Sequence, residues 1–389
     1  MSTALNLTTQ PLDSGFLVEA SAGTGKTYSV AALVTRLVAT QEDVRIGNIL
    51  ITTFTRNAAA ELRDRIRRRL VDTANALSSP APSDRTEDEI TAFLRKGTDV
   101  EVRECAARLR RAAVEFDTAT IATIHSVLSK ILTLAGHAMT PGDDESASAR
   151  IIDEVVNDAL LNQAAGDEPW DEARIAALVR ARLAEPLTEL WFDPAEHDDA
   201  TVLRLQAAIS IVEAAATEVV RRSREHPSFS DLMREAHAVV TDPRNAALVA
   251  EFRQRYVLAM VDESQDTDAI QWDLFNTLFP TGGSGALVAV GDPKQSIYKF
   301  RGADVDAYSA QKSAMPVVTL ETNYRTDQPL IDSLNVLFDG FTFGPTVQYA
   351  RVTASPDHAA SGIAGVPPFE TVNFGDTNNG RALARATAR

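Results

Sequence analysis

The chain has 389 residues, 44% of them hydrophobic, enough for about two to three domains with real cores. Its formal net charge of −16 argues against a simple nucleic-acid binder, and its single cysteine, Cys105, excludes internal disulfides and a cysteine-ligated zinc or iron–sulfur site. The sequence has no run of eighteen apolar residues and no signal-peptide layout at its N-terminus, so we expect a cytoplasmic protein without membrane contact.

The first predicted unit is a buried strand, a glycine-containing loop and a helix. The strand is Phe16–Val18 and the helix runs from Tyr28 to Val38. Between them the loop follows the phosphate-binding pattern G-x-x-x-x-G-K-[ST] except at its first position, where Ala20 replaces glycine. A strand-to-helix turn without function is the alternative, and the adjacent Gly-Lys-Thr disfavours it.

The loop keeps the groups that hold a nucleotide despite this substitution. Two glycines within Ser21–Gly25 let backbone N–H groups turn inward around phosphate oxygens. Lys26 supplies a positive charge for the outer phosphates, and the Thr27 hydroxyl can ligate magnesium. The sequence therefore predicts a site for a magnesium nucleotide at the helix N-terminus.

The charge along the chain is uneven. Glu61 to Leu70 carries five arginines against two acids, Arg103 to Arg111 adds four more, and the acids concentrate from Gly142 to Ala200. This pattern fits a protein that contacts a polyanion on one face only. Arginines on a solvated helix face explain the charge pattern equally well.

Further apolar runs, each leading into a polar loop and then a helical pattern, predict the other strands of a parallel sheet. These strands are Ile49–Thr52, Leu258–Val261, Ala286–Val290 and Val317–Leu320. Between Arg63 and Phe252 the pattern is mostly helical. We therefore predict an α/β domain that carries a large helical insertion.

Two adjacent carboxylates follow the predicted strand Leu258–Val261 in the stretch LAMVDESQDTD. A magnesium nucleotide requires this arrangement: Asp262 can hold Mg²⁺ through water, and Glu263 can orient and deprotonate the attacking water. A helix-capping pair is the alternative.

The stretch ALVAVGDPKQSIYKFRGAD, Ala286 to Asp304, places an amide and aromatic groups after the next strand. Gln295 is able to sense a terminal phosphate. Tyr298, Phe300 and Arg301 are suited to stacking on unpaired bases, although Phe300 taken alone would be a core residue.

The stretch TLETNYRTDQPL, Thr319 to Leu330, supplies a cation and a flat ring. Arg325 is a candidate for neutralising charge on the γ-phosphate, and Tyr324 offers a face for adenine. A surface arginine at a helix start is the alternative.

Together these stretches resemble the UvrD/Rep-like branch of superfamily 1 DNA helicases, and within it RecB-like chains, the beta subunit of exodeoxyribonuclease V. The resemblance runs in order from about Phe16 to Phe338 and is carried by six motifs. They are EASAGTGKT, ITTFTRNAAAELRDRI, TIATIHSVL, VDESQDTD, GDPKQSIYKFRGAD and TNYRT. The family tolerates alanine at the first position of the phosphate loop.

The resemblance implies a role for each matching residue, with ATP and Mg²⁺ as cofactors. Catalysis would use Glu263, Gln295 and Arg325, and the metal would be held by Thr27 and Asp262. The nucleotide-binding residues would be Ala20, Ser21, Ala22, Gly23, Thr24, Gly25, Lys26, Thr27, Tyr28 and Tyr324. The residues lining a single-strand DNA groove would be Thr53, Phe54, His125, Tyr298, Phe300 and Arg301.

The implied fold is a RecA-like P-loop NTPase domain with a parallel sheet, a large all-helical insertion and the start of a second RecA-like domain. The first RecA-like domain would comprise 1–74, 112–132 and 228–316, the insertion 75–111 and 133–227, and the truncated second domain 317–389. No stretch after Phe338 resembles motifs V and VI or a nuclease domain, so we expect a fragment or a naturally truncated protein. The adenine-reading glutamine of the family has only Gln10 as a candidate, and Phe300 stands where many relatives carry Trp.

The expected function is the ATP-binding motor portion of a RecB-like helicase in double-strand-break repair. It would act on single-stranded DNA or duplex ends beside RecC- and RecD-like subunits, and with motifs V and VI missing this chain alone would be weakly active or inactive. A truncated nucleotide-gated DNA- or partner-binding module without motor activity is the alternative. A small-molecule P-loop kinase explains neither VDESQDTD nor GDPKQSIY.

Overall fold

The computed structural model describes residues 3–80, 87–137, 145–161, 170–184, 187, 190–223, 228–296, 305–343 and 347–360. The chain divides into two compact units. The first comprises the described parts of Met1–Ala20 and Lys26–Thr319, and the second comprises those of Ser21–Gly25 and Leu320–Arg389.

A seven-stranded parallel sheet is the centre of the first unit, which confirms the α/β fold class. Its strands are β1 (Thr3–Ala4), β2 (Phe16–Ala20), β3 (Ile49–Thr53), β4 (Thr120–Thr123), β5 (Leu258–Asp262), β6 (Ala286–Gly291) and β7 (Val317–Leu320). They lie in the order β1-β7-β2-β6-β5-β3-β4. The register places Phe16 beside Val288 and Ile49 beside Leu258.

All five predicted strands are present, and each contains a short apolar run. Strand β7 is mostly half-buried. Every residue of β3, β5 and β6 is buried. Sequence reasoning missed β1 and β4. The first is a two-residue exposed edge strand, and the second alternates between buried and half-buried residues, so neither is a continuous apolar run.

Helices follow and connect the strands, and six of those described lie between β4 and β5 in the chain. Their bounds are α1 (Lys26–Thr40), α2 (Arg56–Ser78), α3 (Glu89–Leu94), α4 (Asp99–Val114), α5 (Ile124–Leu134), α6 (Glu145–Leu161), α7 (Glu172–Ala184), α8 (Asp199–Arg222), α9 (Phe229–Thr241), α10 (Ala246–Arg255), α11 (Ala269–Leu278), α12 (Val305–Ala314) and α13 (Gln328–Leu337). Side-chain oxygens of Thr55, Thr98 and Thr123 accept hydrogen bonds from the first turns of α2, α4 and α5.

Helices α6, α7 and α8 form a small core of their own around Val156, Val179 and Val212. Ion pairs fasten its rim, including Arg182 to Glu213 at 2.6 Å. Helix α8 is long and apolar enough to cross a membrane by length and composition alone, which for one helix is weak evidence. The helical character predicted for this stretch is present, and the domain boundaries stay a prediction.

The second unit contains α13 and four short strands, β8 (Thr322–Asn323), β9 (Thr342–Phe343), β10 (Val347–Gln348) and β11 (Thr353–Ala354). Strand β11 pairs with β8 in parallel, and the Ser355 N–H donates to the Asn323 carbonyl at 2.7 Å. An aromatic cluster packs after α13, where the rings of Phe338 and Tyr349 lie 5.5 Å apart. The pairing with β11 and the Ser355 hydrogen bond hold β8, and with it the motif TNYRT, in place.

Candidate active site

The glycine-containing loop after β2 forms a tight turn. Gly23 and Gly25 have φ angles of +81° and +85°, a region that glycine adopts without strain. The backbone N–H and the hydroxyl of Thr24 both donate to the Ser21 carbonyl, at 3.2 and 2.8 Å. Ala20 is the last residue of β2 and is buried. This position is ordinary strand backbone, so the loop does not require glycine there.

Asn323 fixes this loop within the second unit. Its Nδ2 donates to the Ala22 carbonyl at 2.9 Å, and the neighbouring Tyr324 N–H donates to the Gly23 carbonyl at 2.8 Å. A Cβ at Gly23 would lie 2.8 Å from the Arg325 Cβ, so the close approach itself requires glycine. The side chains of Tyr324 and Arg325 are exposed. Sequence reasoning passed over Asn323, whose signal is an amide directly before the aromatic–arginine pair.

Lys26 and Glu263 meet in the first unit although 237 positions separate them. Lys26 Nζ lies 2.8 Å from Glu263 Oε2. Glu263 has a φ of +53° and is the one non-glycine residue with positive φ in the described part of the chain. Left-handed backbone costs a residue of this kind about 1–3 kcal/mol and concentrates at functional sites. The strand end therefore aims this carboxylate at the phosphate-loop lysine.

Asp262, the last residue of β5, carries a buried carboxylate. Burial raises its pKa to about 6, the neighbouring charge of Glu263 adds to the rise, and Lys26 opposes it. The pKa of Asp266 is also raised to about 6, by burial and then by Glu263, and its buried Oδ1 accepts no hydrogen bond. Each carboxylate would be stabilised by a cation brought beside it.

The carboxylate pair Asp262–Glu263 does not cap the following helix, because a different residue does so. Asp268 caps α11, since its Oδ1 accepts from the Gln271 N–H at 2.8 Å, and burial raises its pKa. Glu263 precedes the turn Ser264–Asp266, and its side chain makes no capping bond. The cap of α11 is therefore Asp268, and neither Asp262 nor Glu263.

The residues present fit a magnesium ion that shares its coordination with a substrate. In the described residues, no group of three His, Cys, Asp or Glu side chains is arranged to hold a metal by itself. Mg²⁺ commonly takes one or two protein oxygens and completes its shell with water and substrate phosphates. The buried Asp262 carboxylate supplies such an oxygen, and Thr27 follows the phosphate-loop lysine in α1.

The Gln295 side chain is hydrogen-bonded to the buried carboxylate of Asp292. Its Nε2 donates to Asp292 Oδ2 at 2.6 Å, and Lys294 Nζ lies 2.8 Å from Asp292 Oδ1. The Asp292 N–H in turn donates to Gln265 Oε1 at 2.9 Å. The predicted phosphate sensor is therefore connected to the carboxylate segment through Gln265, which sequence reasoning missed.

Two of the predicted DNA contacts follow neighbouring strand ends. Thr53 and Thr123 are register partners on β3 and β4, so Phe54 and His125 emerge at the same edge of the sheet. Thr53 itself is fully buried, and its hydroxyl donates to the Thr55 carbonyl at 3.0 Å.

The His125 ring packs edge-on against Phe229, with centroids 4.7 Å apart, and burial lowers the pKa of His125. Phe229, 39% exposed, extends this aromatic edge and was missed from the sequence because it lies at the start of α9, far along the chain.

The remaining predicted site residues divide into two groups. Tyr298, Phe300 and Arg301 lie outside the described residues. Tyr28 is exposed beside the loop, and the Arg69 guanidinium carbon lies 4.3 Å from its ring centroid.

Gln10, the candidate adenine reader, lies toward the far end of α1. Its carbonyl accepts from Arg36, and Arg36 follows Lys26 by ten residues, about 15 Å of helix.

Several arginines of α2 are engaged within the chain. The guanidinium carbons of Arg63 and Arg67 lie 5.6 and 5.9 Å from the centroid of the Phe116 ring. The Arg65 guanidinium forms an ion pair with the Glu61 carboxylate at 2.6 Å. Arg65 and Arg67 are nevertheless exposed, so the polyanion-contact and solvated-face interpretations of this stretch both stay predictions.

A phosphate loop, its lysine and a strand-end carboxylate pair define the class of P-loop nucleotide-binding proteins. Within that class the chain belongs to the UvrD/REP helicase N-terminal domain family, whose profile matches residues 1–316. Strands β1 to β6 lie within that match, and β7 begins directly after it.

The RecBCD enzyme subunit RecB of Mycolicibacterium smegmatis is 35% identical over 364 residues, 90% of this chain and 32% of the relative. RecB of Mycobacterium tuberculosis H37Rv is 33% identical over 358 residues, with the same coverages of 90% and 32%. RecB of Escherichia coli K12 is 25% identical over 466 residues, 86% of this chain and 39% of the relative. The chain thus spans about a third of the length of the first two relatives.

Proposed function

We propose that this chain is the ATP-binding motor portion of a RecB-like ATP-dependent DNA helicase or translocase that acts in double-strand-break repair. The observation that carries the proposal is the ion pair between Lys26 and Glu263 beside the buried Asp262. It joins the phosphate-loop lysine to a carboxylate pair in one polar cluster, the arrangement that nucleotide hydrolysis with Mg²⁺ requires.

The chain's own groups divide the work of binding and hydrolysis. Backbone N–H groups of Ser21–Gly25 bind phosphate oxygens, and Lys26 leaves Glu263 to neutralise the outer phosphates. Thr27 and Asp262 offer oxygens to Mg²⁺, which supplies charge stabilisation when bound. Glu263, released from the lysine, orients the attacking water and accepts its proton.

The remaining roles belong to exposed or tethered side chains. Gln295 exchanges its bond with Asp292 for one with the terminal phosphate, Arg325 stabilises charge there, and Tyr324 and Tyr28 border the base and phosphates.

Single-stranded DNA is the polymer that the aromatic sheet edge suits best. Phe54 and His125, extended by Phe229, offer rings on which unpaired bases stack regardless of sequence. Tyr298, Phe300 and Arg301 stay predicted contacts with the same single strand of DNA. The relatives' name, RecBCD enzyme subunit RecB, supports association with RecC- and RecD-like subunits. Action at duplex DNA ends in the cytoplasm is part of the same proposal.

The test is the affinity of the purified 389-residue chain for a fluorescent ATP analogue in Mg²⁺. Lys26→Ala removes charge-assisted hydrogen bonds of about 1.5–3 kcal/mol each, so we expect affinity to fall about 10- to 100-fold. Lys130→Ala is the matched control, because Lys130 donates to the Tyr256 hydroxyl at 3.0 Å, away from the loop. Equal binding by wild type and Lys26→Ala would refute the proposal.

A second candidate function for the 389-residue polypeptide is a nucleotide-gated binding module without motor activity. The observation that favours it is that Glu263 and Gln295 are both engaged by other side chains in this structure. Nucleotide binding with hydrolysis that DNA does not stimulate would identify the module, and robust DNA-stimulated hydrolysis would exclude it.

A further inference from the structure

Gln265 is a buried amide whose hydrogen-bonding groups connect two functional segments. Its Nε2 donates to Glu263 Oε2 at 2.9 Å, and its Oε1 accepts from the Asp292 N–H at 2.9 Å. A weaker bond of 3.4 Å runs from Nε2 to Asp266 Oδ2. The partners fix the orientation of the amide, because a carboxylate accepts only from the NH₂ and an N–H donates only to the carbonyl.

The fit around this amide is tight. Gln265 is 2% exposed, so water does not replace either bond. A Cβ on Gly291 would lie 2.8 Å from Gln265 Oε1 and 2.5 Å from the Ser264 hydroxyl oxygen. The end of β6 therefore approaches the turn Ser264–Asp266 so closely that a shift of either segment displaces the other.

The contact continues to the phosphate sensor. The Asp292 carboxylate, 1% exposed, accepts from Gln295 Nε2 at 2.6 Å. A continuous series of hydrogen bonds thus connects Glu263 through Gln265 and Asp292 to Gln295.

We propose that Gln265 is a positioning residue that couples the location of the Glu263 carboxylate to the segment 292–295. The proposal rests on the proposed function, in which Glu263 is the general base and Gln295 the phosphate sensor. Lys26 and Gln265 are the side-chain donors to Glu263 among the described residues. When Lys26 turns to the phosphates, Gln265 remains as the donor that holds Glu263, and its rigid amide carries any movement of Glu263 to the Asp292 backbone.

Hydrogen exchange measured by mass spectrometry on the 389-residue chain tests this coupling without requiring hydrolysis. The probes are Mg·ATPγS, Mg·ADP and no nucleotide, and the peptides followed cover residues 20–27 and 291–296. The variants are Gln265→Ala and Gln265→Met, which keeps a side chain of similar length but has no hydrogen-bond donor. Gln311→Ala is the matched control, since Gln311 is also buried and its amide bonds to Asn276.

In wild type and Gln311→Ala we expect Mg·ATPγS to change exchange in both peptides. In both Gln265 variants the phosphate-loop peptide should still be protected, while the nucleotide-dependent change at 291–296 disappears. Without nucleotide, the Asp292 amide should exchange about tenfold faster in Gln265→Ala, the effect of losing one buried hydrogen bond.

Each other result overturns the inference in a distinguishable way. A change at 291–296 that persists in both Gln265 variants, or that is absent from wild type with a protected loop, refutes the coupling alone. An unprotected loop in wild type refutes the proposed function as well. Loss of folding in both Gln265 variants would assign Gln265 to the stability of the sheet edge instead.

Discussion

The buried carboxylate of Asp262 makes the stability of the nucleotide-free chain depend on pH. Burial raises its pKa from 3.8 to about 6. The folded state therefore binds this proton more tightly than the unfolded state between about pH 4 and pH 6. Since stability falls with pH wherever the folded state holds more protons, the free energy of unfolding should decrease across this window and stay lower above it.

Asp262→Asn removes this ionisation. A rise of about two in pKa corresponds to about 3 kcal/mol at neutral pH. The new buried NH₂ group needs a partner, which costs about 1–3 kcal/mol where none is found. The Glu263 carboxylate is adjacent, so we expect part of that cost to be recovered and a net stabilisation of about 1–2 kcal/mol at pH 8, without nucleotide.

Chemical unfolding of wild type and Asp262→Asn at pH 4.5, 6 and 8 measures this effect. The stability difference should grow in favour of the variant from pH 4.5 to pH 8, while the variant loses Mg²⁺-dependent nucleotide affinity. If the stability difference between wild type and Asp262→Asn does not change with pH, burial does not raise the pKa of the Asp262 carboxyl, and the reasoning is refuted.

Two further outcomes follow from the packing of the site. Gly291→Ala should destabilise the chain by about 1–3 kcal/mol in thermal unfolding, because the added Cβ overlaps Ser264 and Gln265, and an unchanged melting temperature would contradict that contact. Phe54→Ala and Phe229→Ala should each weaken binding of a labelled oligo-dT by about 5- to 100-fold in fluorescence anisotropy, at a stacking contribution of about 1–3 kcal/mol per base. Unchanged affinity in either variant would remove that ring from the DNA edge.

The parts of the fold that sequence predicts are those encoded by neighbouring residues. The strands β2, β5 and β6 are continuous apolar runs, and the turn of the phosphate loop depends on two glycines two positions apart. Strand β4 was missed because its TIAT alternates in burial, and its place in the sheet is set by pairing with β3.

The contacts that complete the site join residues far apart in the chain, so local patterns do not contain them. Gln265 bonds the backbone 27 positions later, and Asn323 bonds Ala22 across 301 positions. A glutamine or an asparagine in a motif indicates that an amide is needed there. Only the three-dimensional packing shows which donor and acceptor it serves.

A crystal structure of the chain with Mg·ATPγS tests the central claim most directly. The account predicts phosphate oxygens within the turn Ser21–Gly25, Lys26 Nζ moved from Glu263 to the phosphates, and Mg²⁺ beside Thr27 and Asp262. Nucleotide bound elsewhere, or bound at the loop with the 2.8 Å Lys26–Glu263 ion pair intact, would contradict it.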